Sequence, residues 1–156
     1  MSRAKVEINM RLAEQIGRQC AESGVRQARI QGERELIEIL TGPRTGAVYT
    51  EYFARINGKV VPVGKRSKPH QASAPGEAPA RDSGRLIQSV TSEQSAAGGT
   101  VTGRVGASAD YIVRLELGTR HMEPRPSVSR LVNEPERRDR LKSAFDNGAR
   151  RGMRTQ

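Results

Sequence analysis

The sequence predicts an α+β fold: a small antiparallel sheet packed against a long N-terminal helix and a C-terminal helix, with an extended hairpin and loop projecting from it. Three observations carry the prediction. Apolar or small residues recur every fourth position through Leu12, Ile16, Cys20, Gly24 and Ala28, with Leu36, Ile37 and Leu40 beyond, which is the period of one helix face. Asn57-Gly58 stands between a run holding Val48, Tyr49, Tyr52, Phe53 and Ile56 and a run holding Val60, Val61 and Val63, a strong short-range signal for a hairpin. A second helical stripe, Val128, Leu131, Val132, Leu141, Ala144 and Phe145, lies near the C-terminus. A chain of 156 residues fits one domain, with helices on one face of the sheet.

Taken in order, Val6, Ile8 and Met10 alternate as a short strand, and Asn9 is placed to cap the helix that follows. That helix reads as one long element, or as two with a break at Ser23-Gly24, ending at Thr41-Gly42-Pro43. In the hairpin, Tyr49, Tyr52 and Phe53 read as ordinary sheet packing, and Pro62 suits an edge strand because it cannot donate to a ladder. Lys65 to Arg81 reads as a linker; Lys65, Arg66 and Lys68 have no apolar neighbours with which to bury themselves, so an exposed loop is expected. Asp82 or Ser83 caps a short helix from Gly84 to about Val90. Gly98-Gly99 makes a turn. Thr100–Ala107 is a strand, and Tyr111–Thr119, with Val113, Leu115 and Leu117 on one side, reads as its antiparallel partner through Ala107–Asp110. Pro126 stands where a helix can begin, and Pro135 bends the C-terminal stripe. Residues 1–145 then form a single domain in which 43–81 project, and 146–156 form a loose basic tail.

The composition narrows the function. Hydrophobic residues make up 35% of the chain and aromatic residues 3%, with no Trp, so the core is thin and some segments are expected to find order in a partner. Net charge is +10, which favours nucleic acid, an acidic membrane surface or an acidic protein face. The excess is uneven: residues 1–40 hold 7 basic and 6 acidic residues, and residues 120–156 hold 10 and 5. Cys20 is the single cysteine, read as a small apolar residue on a helix face, so no internal disulfide is expected and no zinc site can be built with the distant His70 and His121. The start of the chain lacks the apolar run of a signal peptide, and no segment is apolar enough to span a bilayer, which points to a reducing cytoplasm.

No catalytic constellation emerges, so no enzyme, cofactor or metal is expected. The stretch from Gly58 to Ser67 departs from a phosphate loop: five residues separate Gly58 from Gly64, and Arg66 stands where a Ser or Thr would hold magnesium. His121 has Glu116 and Glu123 nearby but no nucleophile. A nucleic-acid reading has the charge but neither a recognition-helix spacing nor an aromatic platform.

Two stretches carry a resemblance. One holds Ser73, Ala74, Pro75, Gly76, Glu77, Pro79, Asp82, Ser83, Gly84 and Leu86; the other holds Tyr111, Glu116, Gly118 and Thr119, followed by Arg125 and Pro126. In this order, over about Val6 to Phe145, they resemble the head–tail joining family of long-tailed bacteriophages, the neck or tail-completion proteins. The chain departs from the family pattern at Leu117, often an aromatic there, and at Ser127, often Phe.

The resemblance implies a structural virion protein, a ring of 6 or 12 copies joining head-closure or adaptor proteins to the tail-terminator or tail-tube proteins. Packaged DNA would pass through its centre without sequence-specific binding. It implies the host cytoplasm before assembly, the neck afterwards, and no membrane. Pro75 and Pro79 would stiffen an arm lying across a neighbour. The basic loop Lys65–Lys68 with Arg66, the Tyr49–Val63 hairpin with Tyr52, Arg85 and the Arg-rich C-terminus are the expected contacts to neighbours and to acidic faces of adjoining rings, and Glu116 with Arg125 the expected fixing pair. The alternatives are a tail-terminator ring and a basic nucleic-acid-binding accessory protein.

Overall fold

A single helix of 32 residues, α1 (Met10–Thr41), is the spine of the molecule. The computed structural model describes residues 10–154; the strand expected at Val6–Met10 and its capping Asn9 lie outside the described residues, save that Met10 opens α1. The helix does not break at Ser23-Gly24. Gly24 is buried, and a Cβ there would lie 2.7 Å from Cε2 of Phe145, so the glycine serves a close helix contact rather than a hinge.

Next come β1 (Val48–Ile56) and β2 (Lys59–Gln71), an antiparallel two-stranded ribbon turning at Asn57-Gly58, both with positive φ. The strand β2 continues where a linker was expected. Its second half pairs back to Tyr49 and Val48 through His70 and Gln71, with two irregularities of register on the way. The short helix α2 (Arg85–Gln88) follows, then β3 (Val90–Ala97) and β4 (Thr100–Ala107), a second two-stranded ribbon paired in continuous register around Gly98-Gly99. The two ribbons form separate sheets rather than one.

The expected partner of β4 is therefore wrong. β3 escapes a hydrophobic-pattern reading because Ser92 and Gln94 are among its inward residues: Ser92 accepts from Arg29 and donates to Glu33, and Gln94 donates to the Glu22 carbonyl at 3.2 Å. The segment read as a strand, Tyr111–Thr119, is instead a helix, α3 (Ile112–Leu117). Ile112, Leu115 and Glu116 turn inward while Val113 and Leu117 are 60% and 75% exposed, which is helical spacing and not alternation.

Two further helices, α4 (Arg130–Asn133) and α5 (Pro135–Arg154), are separated at Glu134, whose backbone is extended. No helix begins at Pro126; Pro135 is instead the first residue of α5, where its missing N–H costs nothing. The expected loose tail is helical through Arg154 and lies along α1, with Gly148 and Gly152 buried at the crossing. Leu36, Ile39, Leu40, Ala78 and Leu131 form the core, joined by Leu86, Ile87, Val90, Val105 and Val128. It is small, as the composition requires. Ionic contacts supplement it: the Glu35 carboxylate, 2% exposed, is held by Arg140 (Nε 2.5 Å, Nη2 2.8 Å) and by Arg137, joining α1 to α5.

Candidate functional site

The first motif does not project. Ala78 packs in the core, Ser73 and Pro79 are buried, and the segment is clamped from several sides. Glu77 accepts from Thr45 N and Oγ1 (3.1 and 2.6 Å) and from Ala74 N (2.8 Å), contacts that hold its carboxyl below the ordinary range, the Thr45 hydroxyl foremost. Arg44 donates to the Pro79 carbonyl (3.2 and 3.0 Å) and to the Ile39 and Gly42 carbonyls (2.8 Å each), so one guanidinium ties the end of α1 to the motif. Gly76 has φ +80, which explains glycine there, and its N–H donates to the Pro124 carbonyl at 3.2 Å. Pro75 is exposed. The stiff segment from Pro75 to Pro79 thus lies against its own chain.

The second motif completes the same unit. Arg125 donates to the carbonyl and hydroxyl of Ser73, joining residues 52 apart in sequence, and its own N–H donates to the Leu115 carbonyl at 2.7 Å. Glu116 does not pair with Arg125. Its carboxylate collects Ser127 N and Oγ and Val128 N (2.6 Å each) and Ser129 Oγ (2.9 Å), so it fixes the turn that leads into α4. Burial acts to raise its pKa, but these hydrogen bonds outweigh it and hold the carboxyl below its usual range. Ser127, fully buried here, fills a site that a phenylalanine could not enter without displacing this network. Gly118 is required by φ +73 and by the close approach of the Met122 carbonyl, 2.7 Å from where a Cβ would stand; Thr119 N donates to that carbonyl at 2.8 Å. Pro126 is half-buried between these networks.

The two motifs meet at a cleft of about 360 Å³. Its walls include Pro79, Asp82, Arg85, Leu86, Tyr111 and Arg125. At its rim the expected cap is absent. Gly84, in the left-handed conformation, occupies the N-cap of α2, with only a long contact from Arg85 N to Ser83 Oγ at 3.4 Å. Asp82 instead binds Arg66 of β2 at 2.7 Å, which lowers its pKa, and the Arg66 guanidinium stacks 4.2 Å over the Tyr52 ring. Arg85 remains exposed, 3.4 Å from Asp110 and 5.9 Å from the centre of the Tyr111 ring. Lys65 and Lys68 are exposed on β2, and so are Tyr49, Tyr52 and Phe53, contrary to the expectation of sheet packing.

Sequence reasoning missed Arg44, Thr45, Glu35, Arg137 and Arg140. Glu35 and Arg140 are 105 residues apart, and nothing local marks them as partners. Among the described residues no helix is long and apolar enough to cross a membrane. Comparison with protein-family models, with curated proteins and with solved structures finds no match in any of the three.

Proposed function

We propose that this chain is a structural subunit of a bacteriophage neck, forming a ring that joins head-closure or adaptor proteins to the tail around the DNA channel. The observation that carries the reading is the convergence of the two motif segments. Residues that resemble the family pattern at 73–86 and at 111–126 are bonded to one another, Arg125 to Ser73 and Gly76 to Pro124, around one cleft. Most of the motif thus acts as scaffold, holding Arg85 and Tyr111 at the cleft rim and the β1–β2 ribbon beside it. Exposed Arg85 and the half-buried Tyr111 at the rim are where neighbouring copies make contact, and the ribbon is where an adjoining ring does.

The test has two parts. Cryo-EM of purified particles is expected to show this chain as a ring at the head–tail junction; density only at the end of the tail tube would make it a terminator, and absence from particles would overturn the reading. In parallel, Arg85→Glu, exposed and outside the clamp, is expected to fold normally and to reduce particle assembly. Arg125→Glu is the wrong probe, because it breaks the bond to Ser73 that builds the site.

A further inference from the structure

We infer that the β1–β2 ribbon is a docking surface for a second, different protein whose seat is apolar and rimmed with carboxylates. The inference stands on the ribbon alone and does not need the neck reading. β1 and β2 pack mainly on each other, leaving seven large apolar side chains exposed between Val48 and Val63, Val60 as much as 62%. Arg55 pairs with Val60 and Ile56 with Lys59, so Val60 and Ile56 lie on opposite faces and the apolar side chains are spread over both faces of one hairpin; that many on one element mark an interaction site rather than scattered surface residues. Over Val48–Gln71 the ribbon carries five basic residues and one acidic, a net +4; Arg66 is already paired with Asp82, so Arg55, Lys59, Lys65 and Lys68 carry the charge offered to a partner.

Charge selects the partner. The rest of the chain still carries +6 of the net +10, and Glu35, Glu38, Asp82, Glu93, Asp110 and Glu134 are already paired with arginines. Glu123, Glu136, Asp139 and Asp146 are exposed and stand outside these pairs, but a second copy carries the same net charge of +10 and is repelled from the ribbon overall. The β2 edge is also guarded against its own kind: Lys59, Lys65 and Lys68, together with Pro62 and Pro69 and the irregular register, are devices that prevent like strands from pairing. The same lysines attract carboxylates. Nucleic acid fits less well. Of the seven apolar side chains four are aliphatic, and the three aromatic rings are in part occupied, Tyr52 by Arg66 and Tyr49 by Phe53 edge-on at 6.0 Å.

The test is titration of the full chain with a peptide of alternating valine and glutamate, followed by calorimetry and NMR amide shifts, with the valine–lysine peptide and single- and double-stranded DNA alongside. Shifts are expected to be confined to Val48–Gln71. Affinity is expected to be about tenfold weaker for the lysine peptide and for Phe53→Ser/Val60→Ser, and to fall as salt rises. Lys59→Gln/Lys65→Gln/Lys68→Gln leaves the apolar surface intact and is expected to remove the preference for glutamate. Absence of binding, equal binding of both peptides, or shifts elsewhere would overturn the inference. Tighter binding of DNA through the same residues would make the ribbon a nucleic-acid face, and ribbon-dependent self-association would make a second copy its occupant; either result also overturns it.

Discussion

Glu35 shows how a chain with few apolar residues joins two helices. Its carboxylate is buried and held chiefly by Arg140, against the opposing effect of burial, with Gln31 and Arg137 adding to the hold, and its pKa falls to about 2. Removing one member of a buried ion network strands the others. Arg140 keeps access to water, so the cost belongs at the low end of the usual range: Glu35→Ala is expected to destabilise the protein by about 3 kcal/mol, lowering Tm by roughly 6–12 °C. The sign with pH follows. The folded pKa lies below the ordinary value of 4.5, so this contribution is present above that value and is lost as pH falls from 4.5 towards about 2. Glu35→Gln is expected to flatten that acid limb in thermal melts across pH. Glu116 poses a parallel case, its cost coming from stranded donors: Glu116→Ala leaves Ser127 and Val128 N–H groups unsatisfied and is expected to cost about 2–3 kcal/mol in denaturant unfolding. Ser127→Ala, which removes a single hydroxyl, is expected to cost about 1 kcal/mol.

At the scale of elements, the closest packing is that of α1 against α5. A Cβ at Gly152 would stand 2.9 Å from the Gln19 carbonyl, and at Gly148 it would meet the Ser23 carbonyl. These are backbone atoms of a helix and cannot move aside individually. Gly148→Val is therefore expected to cost at least about 1–3 kcal/mol through overpacking, despite the better helix propensity of valine. Hydrogen exchange is expected to show α5 losing protection while the β1–β2 ribbon keeps its own, because the ribbon's pairing does not depend on that contact. A uniform loss across the whole molecule would contradict this division.

At the scale of the whole molecule, the net charge of +10 opposes the meeting of like copies. Any self-association of the purified protein, as the proposed ring requires, is expected to strengthen between about 0.05 and 0.5 M salt as this repulsion is screened, while the proposed docking of an acidic partner on the ribbon is expected to weaken over the same range. Sedimentation velocity at two salt concentrations separates the two kinds of contact. Self-association that weakens as salt rises would mean that ion pairs, not apolar faces, join the copies.

How much was legible in the sequence follows local physics. Helical period marked α1, Asn57-Gly58 marked the first hairpin, Gly98-Gly99 marked the turn of the second, and the low apolar content announced a small core. Each of these is a property of neighbouring residues. Tertiary contacts decided the rest. Tyr111–Thr119 coils because Ile112, Leu115 and Glu116 must share one inward side, and β3 exists although Ser92 and Gln94 face inward, because α1 offers them polar partners. The tail is a docked helix because its glycines let it approach α1. The motif from Ser73 to Leu86 reads as an arm and is in fact a clamp, because Arg44, Arg125 and Pro124 reach it from positions far along the chain. A bond between residues tens of positions apart leaves no periodic trace in either segment, so only the folded chain reveals which charges hold the protein together and which stay exposed.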